Sequence, residues 1–252
     1  MKYSEDVYCP FGGFRHLSNI TDENWTFKEG NSKENGILIN YIRHTYEKLD
    51  RENKIFISED KSYSIFNTGL FNAYYQPIYA YLVPNKRANE GKATWVIDKF
   101  GTSYDLMGNG ISNYELPERA NYFEEPSLLI FDTNCQINIQ FEHILKDPKN
   151  VERLPDEVKN SPYLINIFTG AVQTMINQVT ANYKLAVPQF YKGRIQLLLP
   201  LCLSNKKKPD VALVVTKTSD GKFYQGHTCL TMNMAYNNSR LIAKPESNWL
   251  KI

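Results

Sequence analysis

Hydrophobic residues recur every three or four positions through a long segment in the second half of the chain. This spacing is typical of a helix that buries one side. Ser161 suits the N-cap and Pro162 the first helical position. We therefore predict a long central helix from Pro162 to Lys184, followed by a short loop. Its apolar positions are Leu164, Ile167, Phe168, Ala171, Met175, Val179 and Tyr183.

The opposite side of this predicted helix is polar but uncharged. No Asp, Glu, Lys or Arg occurs from Tyr163 to Tyr183. A helix side that faces water normally carries charged residues, so this side is either covered by another layer or lines a polar pocket. Its members are Asn166, Thr169, Gln173, Asn177, Gln178, Thr180 and Asn182.

The rest of the chain alternates short strand patterns with one further amphipathic helix, predicted at 36–51. Apolar residues that alternate with polar ones indicate strands, and runs that are apolar on both faces indicate strands in the middle of a sheet, as we expect for 195–203 and 211–218. We expect an α+β fold with a largely antiparallel β-sheet, the long central helix and a few shorter helices. The predicted strands are 54–58, 63–66, 78–83, 94–100, 128–131 continuing to 141, 195–203, 211–218 and 223–234.

The domain organisation is predicted from the chain length and from the positions of charged and proline-containing segments. A chain of 252 residues is long enough for one large core, and we predict a single globular domain over 1–252. Residues 1–35 show no clear element and are interpreted as an irregular N-terminal arm. The charged, Pro-punctuated segment 146–160 is interpreted as a surface linker between two subregions.

Composition narrows the functional classes. The formal charge of +2 is too small for a general polyanion binder, so local patches must decide that question. The N-terminus has no apolar signal core and the apolar runs are short, which predicts a cytoplasmic protein without membrane contact. The four cysteines lie far apart, which favours free thiols over a disulfide or zinc framework.

Known enzyme motifs are absent from the sequence. It contains no phosphate-binding G-x-x-x-x-G-K-S/T loop, no G-x-G-x-x-G, no H-E-x-x-H and no G-x-S-x-G. Acidic pairs at metal-ligand spacing are missing as well, which disfavours a metal-dependent nuclease. We therefore predict no metal and no cofactor.

Several short strings, spread in order over about residues 36–250, resemble a bacterial family, domain-of-unknown-function family 3825. Relatives in that family are often joined to RNA-binding modules of the LOTUS or cold-shock kind, so the resemblance implies work on RNA or nucleotides by association. The strings are Phe66-Asn-Thr-Gly-Leu70, Arg119-Ala-x-Tyr-Phe123, His143-Ile-Leu145, Arg153 with Pro155, Gly170-Ala171, Asn182-Tyr-Lys184, Val187-Pro-Gln189, Gln196-Leu-Leu-Leu-Pro-Leu201 and Met234-Ala-Tyr-Asn-Asn-x-Arg-Leu241.

The candidate chemistry consists of cations, amides and tyrosines. Arginine makes bidentate contacts to phosphate, amides read base edges and tyrosines stack on bases, so together they suit a phosphorylated aromatic ligand. The candidate ligand-binding residues are Asn67, Arg119, Tyr122, Arg153, Asn182, Gln189, Tyr236 and Asn238.

Three residues are candidates for catalysis. His143 is predicted at a strand end and could act as a general base or acid near neutral pH. Lys184 and Arg240 could stabilise developing negative charge. If the protein is an enzyme, these residues fit a metal-independent ribonuclease or nucleotide hydrolase.

Each candidate also has a purely structural explanation. His143 could be a hydrogen-bond partner at a strand end, and Lys184 could stabilise the C-terminal end of the long helix. Asn67-Thr-Gly69 has the form of a turn that needs glycine. Asn237-Asn238 could cap a helix or form a turn, and Arg240 must be paired if it is buried.

Three functional hypotheses remain open. The preferred one is an RNA- or nucleotide-associated cytoplasmic protein with a cationic, amide-rich pocket and metal-independent phosphodiester cleavage. The second is a non-catalytic binder of a nucleotide or signalling ligand. The third is a protein–protein interaction subunit, in which a partner or a second copy of the chain covers the uncharged helix side.

Overall fold

The structure is a computed structural model of the chain. It describes residues 3–28, 33–90 and 92–252. For Phe11 and His143 only the main chain is described. The predicted catalytic role of the His143 side chain therefore lies outside the described residues.

The chain divides into two compact units, Met1–Asn121 and Tyr122–Ile252. Each unit contains one five-stranded sheet. Segment 146–160, interpreted from sequence as a linker between subregions, lies within the second unit. The interpretation of 1–252 as a single globular domain stays a prediction.

The first unit is built around a sheet with strand order β1-β5-β4-β3-β2, in which β1 is parallel to β5 and the other pairs are antiparallel. Its strands are β1 (Val7–Tyr8), β2 (Phe56–Ile57), β3 (Ser64–Phe71), β4 (Pro77–Pro84) and β5 (Trp95–Gly101). Its helices are α1 (Tyr3–Asp6), α2 (Phe11–Ile20), α3 (Gly36–Arg51) and α4 (Ser103–Met107), with short 3-10 turns at Ala88–Glu90 and Asn113–Glu115.

Helix α3 has the bounds predicted from its apolar spacing. Leu38, Ile42 and Leu49 are fully buried along one side, while Lys48 on the outer turn pairs with Glu52 at 2.6 Å. Burial of one stripe stabilises such a helix more than intrinsic propensity does. The prediction of this helix was correct because the apolar spacing in the sequence marks the stripe that is buried.

The first 35 residues differ from the irregular arm expected. Within that stretch α2 is a ten-residue helix, and its Leu17 is fully buried. The two consecutive glycines, Gly12 and Gly13, weaken the helical signal in the sequence. Contacts of the folded chain outweigh that intrinsic preference.

The second unit is built around a sheet with strand order β6-β10-β9-β8-β7, antiparallel except for the parallel pair β6 and β10. Its strands are β6 (Gln136–Ile139), β7 (Val187–Tyr191), β8 (Arg194–Leu201), β9 (Val211–Lys217) and β10 (Phe223–Leu230). Its helices are α5 (Phe141–Lys146), α6 (Pro148–Val151), α7 (Asp156–Lys159), α8 (Leu164–Ala181) and α9 (Met232–Arg240), with 3-10 turns at Pro126–Leu129 and Tyr183–Leu185.

Helix α8 is the long helix of the fold and covers one face of this sheet. Phe168, Met175 and Val179 form its buried stripe and join a core with inward residues of β8 and β9. The polar uncharged side is exposed in the described chain. The helix begins two residues later than predicted, because the Ser161 hydroxyl accepts a hydrogen bond from the Tyr163 N–H and forms a turn instead of the N-cap.

Two strand predictions and one loop prediction in this unit were wrong. The stretch 128–131 lies mostly in the 3-10 turn that begins at Pro126, which is favoured at a first helical position. The predicted strand 223–234 ends at Leu230, because the Thr231 side chain caps α9 by accepting from the Met234 N–H. Strand β7 lies where a loop was expected.

The segment around His143 and residues 146–160 also differ from expectation. His143 lies within α5, and β6 ends four residues before it. The expected surface linker 146–160 contains α6 and α7. Asn150, Leu154 and Val158 of this segment are buried, so it contributes to the packing of the second unit.

The predicted fold class is confirmed as α+β, with largely antiparallel sheets and one long helix. The central placement of β8 and β9, predicted from their apolar character on both faces, is also confirmed. Among the described residues, every helix is too short or too polar to cross a membrane.

Gly69 allows a test of the first unit. It lies in a bulge of β3 with a φ of +72°, and an added Cβ would lie 2.7 Å from the Tyr41 hydroxyl oxygen. We expect Gly69→Ala to lower the free energy of unfolding by about 1–3 kcal/mol, because it adds left-handed strain and a close contact. Urea denaturation measures the loss.

The control is Gly170→Ala in α8. A Cβ at Gly170 meets no atom within 4 Å, and the position is exposed in a helix interior. Alanine there is expected to raise the free energy of unfolding by roughly 0.5–1 kcal/mol. Equal destabilisation by both substitutions would contradict the role assigned to Gly69.

Candidate nucleic-acid interface

A row of polar side chains crosses all five strands of the second sheet. The strand register places Gln189 opposite Gln196, Thr216 opposite Gln225, and Gln225 opposite Asn138. Because side chains alternate between the two faces of a strand, all five lie on the face opposite the α8 core. We call these five residues the polar row.

Side-chain hydrogen bonds join the row at one end. Asn238 of α9 donates from Nδ2 to Gln189 Oε1 at 3.1 Å, and Gln189 Nε2 donates to Gln196 Oε1 at 3.0 Å. Gln196 Nε2 in turn donates to Thr216 Oγ1 at 2.9 Å. These bonds fix the orientation of each amide, since each uses its N–H toward the next residue.

Exposure increases along the row. Gln189 is only 1% exposed, Gln196 and Thr216 are partly exposed, and Gln225 and Asn138 are exposed. Within the described chain, the amides of Gln225 and Asn138 form no side-chain hydrogen bond. The row thus has one end fixed in the interior and one end available to a ligand.

Cationic and aromatic side chains lie on the same sheet face as the row, on β7 and β8 beside Gln189 and Gln196. Tyr191 and Arg194 face each other across β7 and β8, on the same face as the row. The Lys192 ammonium lies 5.4 Å from the centre of the Tyr191 ring, a cation–π contact. None of the five strands contains Asp or Glu. The chemistry of this surface therefore favours an anionic ligand.

His227 is exposed on β10, the strand that carries Gln225. Partial burial and the nearby positive charge of Arg194 lower the pKa of His227 below its usual value. The imidazole is therefore neutral at pH 7 in the free protein. A phosphate bound between these two side chains would reverse the effect of Arg194 and favour the protonated form.

Of the residues predicted from sequence, the structure joins Gln189 and Asn238 directly. Both belong to the polar network, and Asn238 lies inside α9 instead of capping a helix or forming a turn. Tyr236 and Arg240 lie on the same helix and are buried. Arg240 is only 5% exposed, so its side chain has little surface available to a ligand.

Asn182 and Lys184 lie at the C-terminal end of α8. Asn182 follows the last helical residue, and its Oδ1 accepts the Lys184 N–H at 3.2 Å. Both are exposed. Asn182 therefore has a local structural role in the turn that leads to β7.

Arg153 and Tyr122 also contact the protein itself. Arg153 Nη1 donates to the Cys229 carbonyl at 2.6 Å and connects the segment after α6 to β10. Tyr122 is buried, with its ring edge-on to Phe190 at a centroid distance of 5.0 Å. These contacts give both residues a structural explanation, whatever else they bind.

Two of the predicted site residues belong to the first unit. Asn67 accepts the Gly69 N–H at 2.9 Å and donates to the Pro117 carbonyl at 3.2 Å, so its amide shapes the bulge of β3. Arg119 is exposed, and its carbonyl accepts from the Lys54 ammonium at 3.2 Å.

The sequence interpretation did not include Thr216, Gln225, Asn138 and His227 in the site. A usable signal existed for the first two, because the tight turn at Ser219–Lys222 sets the register of β9 against β10. That register places Thr216 opposite Gln225. Nothing in the local sequence around Asn138 indicates that β6 pairs with β10 from a distance in the chain.

Metal ligation has no clear site among the described residues, which contain no group of three or more His, Cys, Asp or Glu side chains placed to hold an ion. In a comparison with protein families, the model described as domain of unknown function (DUF3825) matches residues 17–249. Neither a curated protein nor a solved structure matches the chain.

The buried end of the row can be tested by Gln189→Ala. This change leaves the Asn238 donor and the Gln196 acceptor, both partly buried, without their partner. We expect a loss of about 1–3 kcal/mol in the free energy of unfolding, measured by urea denaturation.

Gln173→Ala is the matched control, since Gln173 is an exposed amide of α8. A change within about 0.5 kcal/mol is expected there. If both alanine variants lose the same stability, the hydrogen-bonded row does not stabilise the unit.

Proposed function

This chain belongs to the DUF3825 family, and we propose that its second unit binds single-stranded RNA across the sheet face that carries the polar row. The observation that carries the proposal is the row itself, in which buried, hydrogen-bonded amides lead to the exposed amides of Gln225 and Asn138. A sheet face with ordered amides and an adjacent aromatic side chain suits unstacked bases.

The phosphate groups of the RNA would be bound by Arg194 and Lys192. Neither side chain forms an ion pair within the described residues, and the strands around them carry no carboxylate. Arg194 offers a bidentate contact to phosphate. Favourable electrostatics of this kind supply most non-specific affinity for nucleic acid.

The bases would be recognised by stacking and by hydrogen bonds. Tyr191 is 49% exposed, so its ring has a face available for a base. The amides of Gln225 and Asn138 lie on neighbouring strands, at the ordinary strand spacing of about 4.8 Å. Each amide can donate and accept, which suits base edges and the ribose 2′-hydroxyl.

The described contacts favour RNA binding over phosphodiester cleavage. Lys184 is exposed after α8, whereas Arg240 is buried in α9. Phosphodiester cleavage by His143, Lys184 and Arg240 stays a prediction. Incubation of labelled RNA with a high protein concentration in EDTA tests it, and intact RNA would remove the nuclease hypothesis while leaving the binding proposal in place.

RNA affinity should depend on Arg194 and Gln225. With a fluorescent single-stranded RNA of about 12 nucleotides, we expect Arg194→Gln to weaken binding and to reduce the slope of log affinity against log salt by about 1. Gln225→Ala should weaken binding roughly three- to tenfold through a lost hydrogen bond. Fluorescence anisotropy measures both.

The control for these two variants is Gln173→Ala, which removes an exposed amide from α8 and should leave RNA affinity unchanged. Unchanged melting temperatures will show that the variants remain folded. The proposal is overturned if the wild-type protein binds no RNA at low salt, or if all three variants bind equally well.

The affinity should also depend on pH. The pKa of His227 is lowered in the free protein, so a bound phosphate is expected to raise it and to draw in one proton. Affinity should therefore increase as pH falls from about 7 to about 5.5. The increase should disappear in His227→Asn, and an unchanged pH profile in that variant would show that His227 does not contact the RNA.

A further inference from the structure

A cleft of about 580 Å³ lies between the uncharged side of α8 and the segment that follows β8. The α8 wall is a line of residues four positions apart, Asn166, Gly170, Thr174 and Gln178. Twelve helical steps between the two amides span about 18 Å. This cleft is separate from the polar row, which lies on the other face of the sheet.

The opposite wall is formed by Cys202, Leu203 and Lys206. Asp210 Oδ2 accepts the N–H groups of Leu203 at 2.7 Å and Ser204 at 2.9 Å, and its other oxygen accepts the Ser204 hydroxyl. These bonds order the segment that carries Lys206. They also engage both oxygens of Asp210.

Three consecutive lysines, Lys206 to Lys208, place positive charge at the mouth of the cleft. Asn205 Oδ1 accepts the N–H groups of Lys207 at 2.8 Å and Lys208 at 3.3 Å, which forms a compact turn. In the described part of the chain Lys206, Lys207 and Lys208 form no ion pair. No residue that lines the cleft is acidic. The cleft therefore favours an anionic group near Lys206.

The interior of the cleft combines an apolar floor with free amides. Ile167, Met175 and Leu203 supply aliphatic and thioether contacts, which suit the face of a flat ring. The side chains of Asn166 and Gln178 form no hydrogen bond with other described residues. They are available to a ring edge that carries donors and acceptors. The cleft volume is within the range of sites for small ligands.

We propose that this cleft binds a nucleoside monophosphate. The base would lie over Gly170, where an added Cβ meets no atom within 4 Å, so open space lies above the helix. The phosphate would be bound by Lys206, and the base edge by Asn166 or Gln178. The same chemical group can come from a free nucleotide or from the terminal nucleotide of an RNA chain.

The test uses the full chain with adenosine, guanosine, cytidine and uridine 5′-monophosphate, measured by titration calorimetry. Gly170→Leu fills the space above the helix and should weaken binding of the preferred nucleotide at least about tenfold. Gly170→Ala is its control, because one methyl group leaves most of the cleft open. Both changes favour helix formation, so unfolding does not explain a loss of binding.

A second pair of variants tests the phosphate contact. Lys206→Gln should weaken binding roughly tenfold. Lys222→Gln, an exposed lysine in the turn before β10, should leave it unchanged. If a short RNA with a terminal phosphate competes for the cleft, the source is an RNA end. If only mononucleotides bind, the source is a free nucleotide.

Three results would overturn the proposal: no binding of any of the four nucleotides at millimolar concentration, binding that Gly170→Leu leaves unchanged, or a dimer in light scattering that only Gly170→Leu dissociates. The last would assign the cleft to a second copy of the chain. Arg194→Gln separates this proposal from RNA binding on the sheet, because it should leave mononucleotide affinity unchanged.

Discussion

The Gln189 amide lies in the interior of the second unit, where water cannot satisfy its donor and acceptor atoms. A buried amide without partners costs several kcal/mol, so Gln196 and Asn238 must remain in reach of it. This requirement fixes the pairing of β7 with β8 and the rotation of α9 over the sheet. The order of the exposed amides follows from it, since Gln196 in turn orients Thr216.

The two sides of helix α8 carry residues of different kinds, for different reasons. Its Phe168 and Val179 fill the core against β8 and β9, which any large residues of suitable volume would do. Its other side carries amides, hydroxyls and a glycine where a helix that faces only water would carry Lys and Glu. Stability explains the first choice of residues. The ligand proposed for the adjoining cleft would explain the second.

Elements with one dominant local signal could be predicted from the sequence. Helix α3 was predicted with its observed bounds from apolar spacing alone, and β8 and β9 were placed in the middle of the sheet because both are apolar on two faces. Helix α9 was missed because its methionines imitate strand alternation. The hydroxyl of Thr231 was the signal that its sequence did offer.

The site was less predictable than the fold, for a physical reason. Gln189 and Asn238 were selected for their residue types. They are 49 residues apart in the chain, and the sequence does not show that a hydrogen bond joins their side chains. Conversely, Arg153 and Tyr122 have types suited to ligands, yet they contact the Cys229 carbonyl and Phe190. Register between distant strands decides which polar residues meet, and it depends on the whole sheet.

The hydrogen bonds of the polar row also align the amide dipoles of its side chains in one direction. Asn238, Gln189 and Gln196 all point their N–H groups the same way, so their amide dipoles add from head to tail and end at the Thr216 hydroxyl. The positive end of this dipole chain faces the exposed half of the sheet. A nucleic-acid strand lying there would meet donors first at one edge, and its two possible 5′-to-3′ orientations would differ in energy.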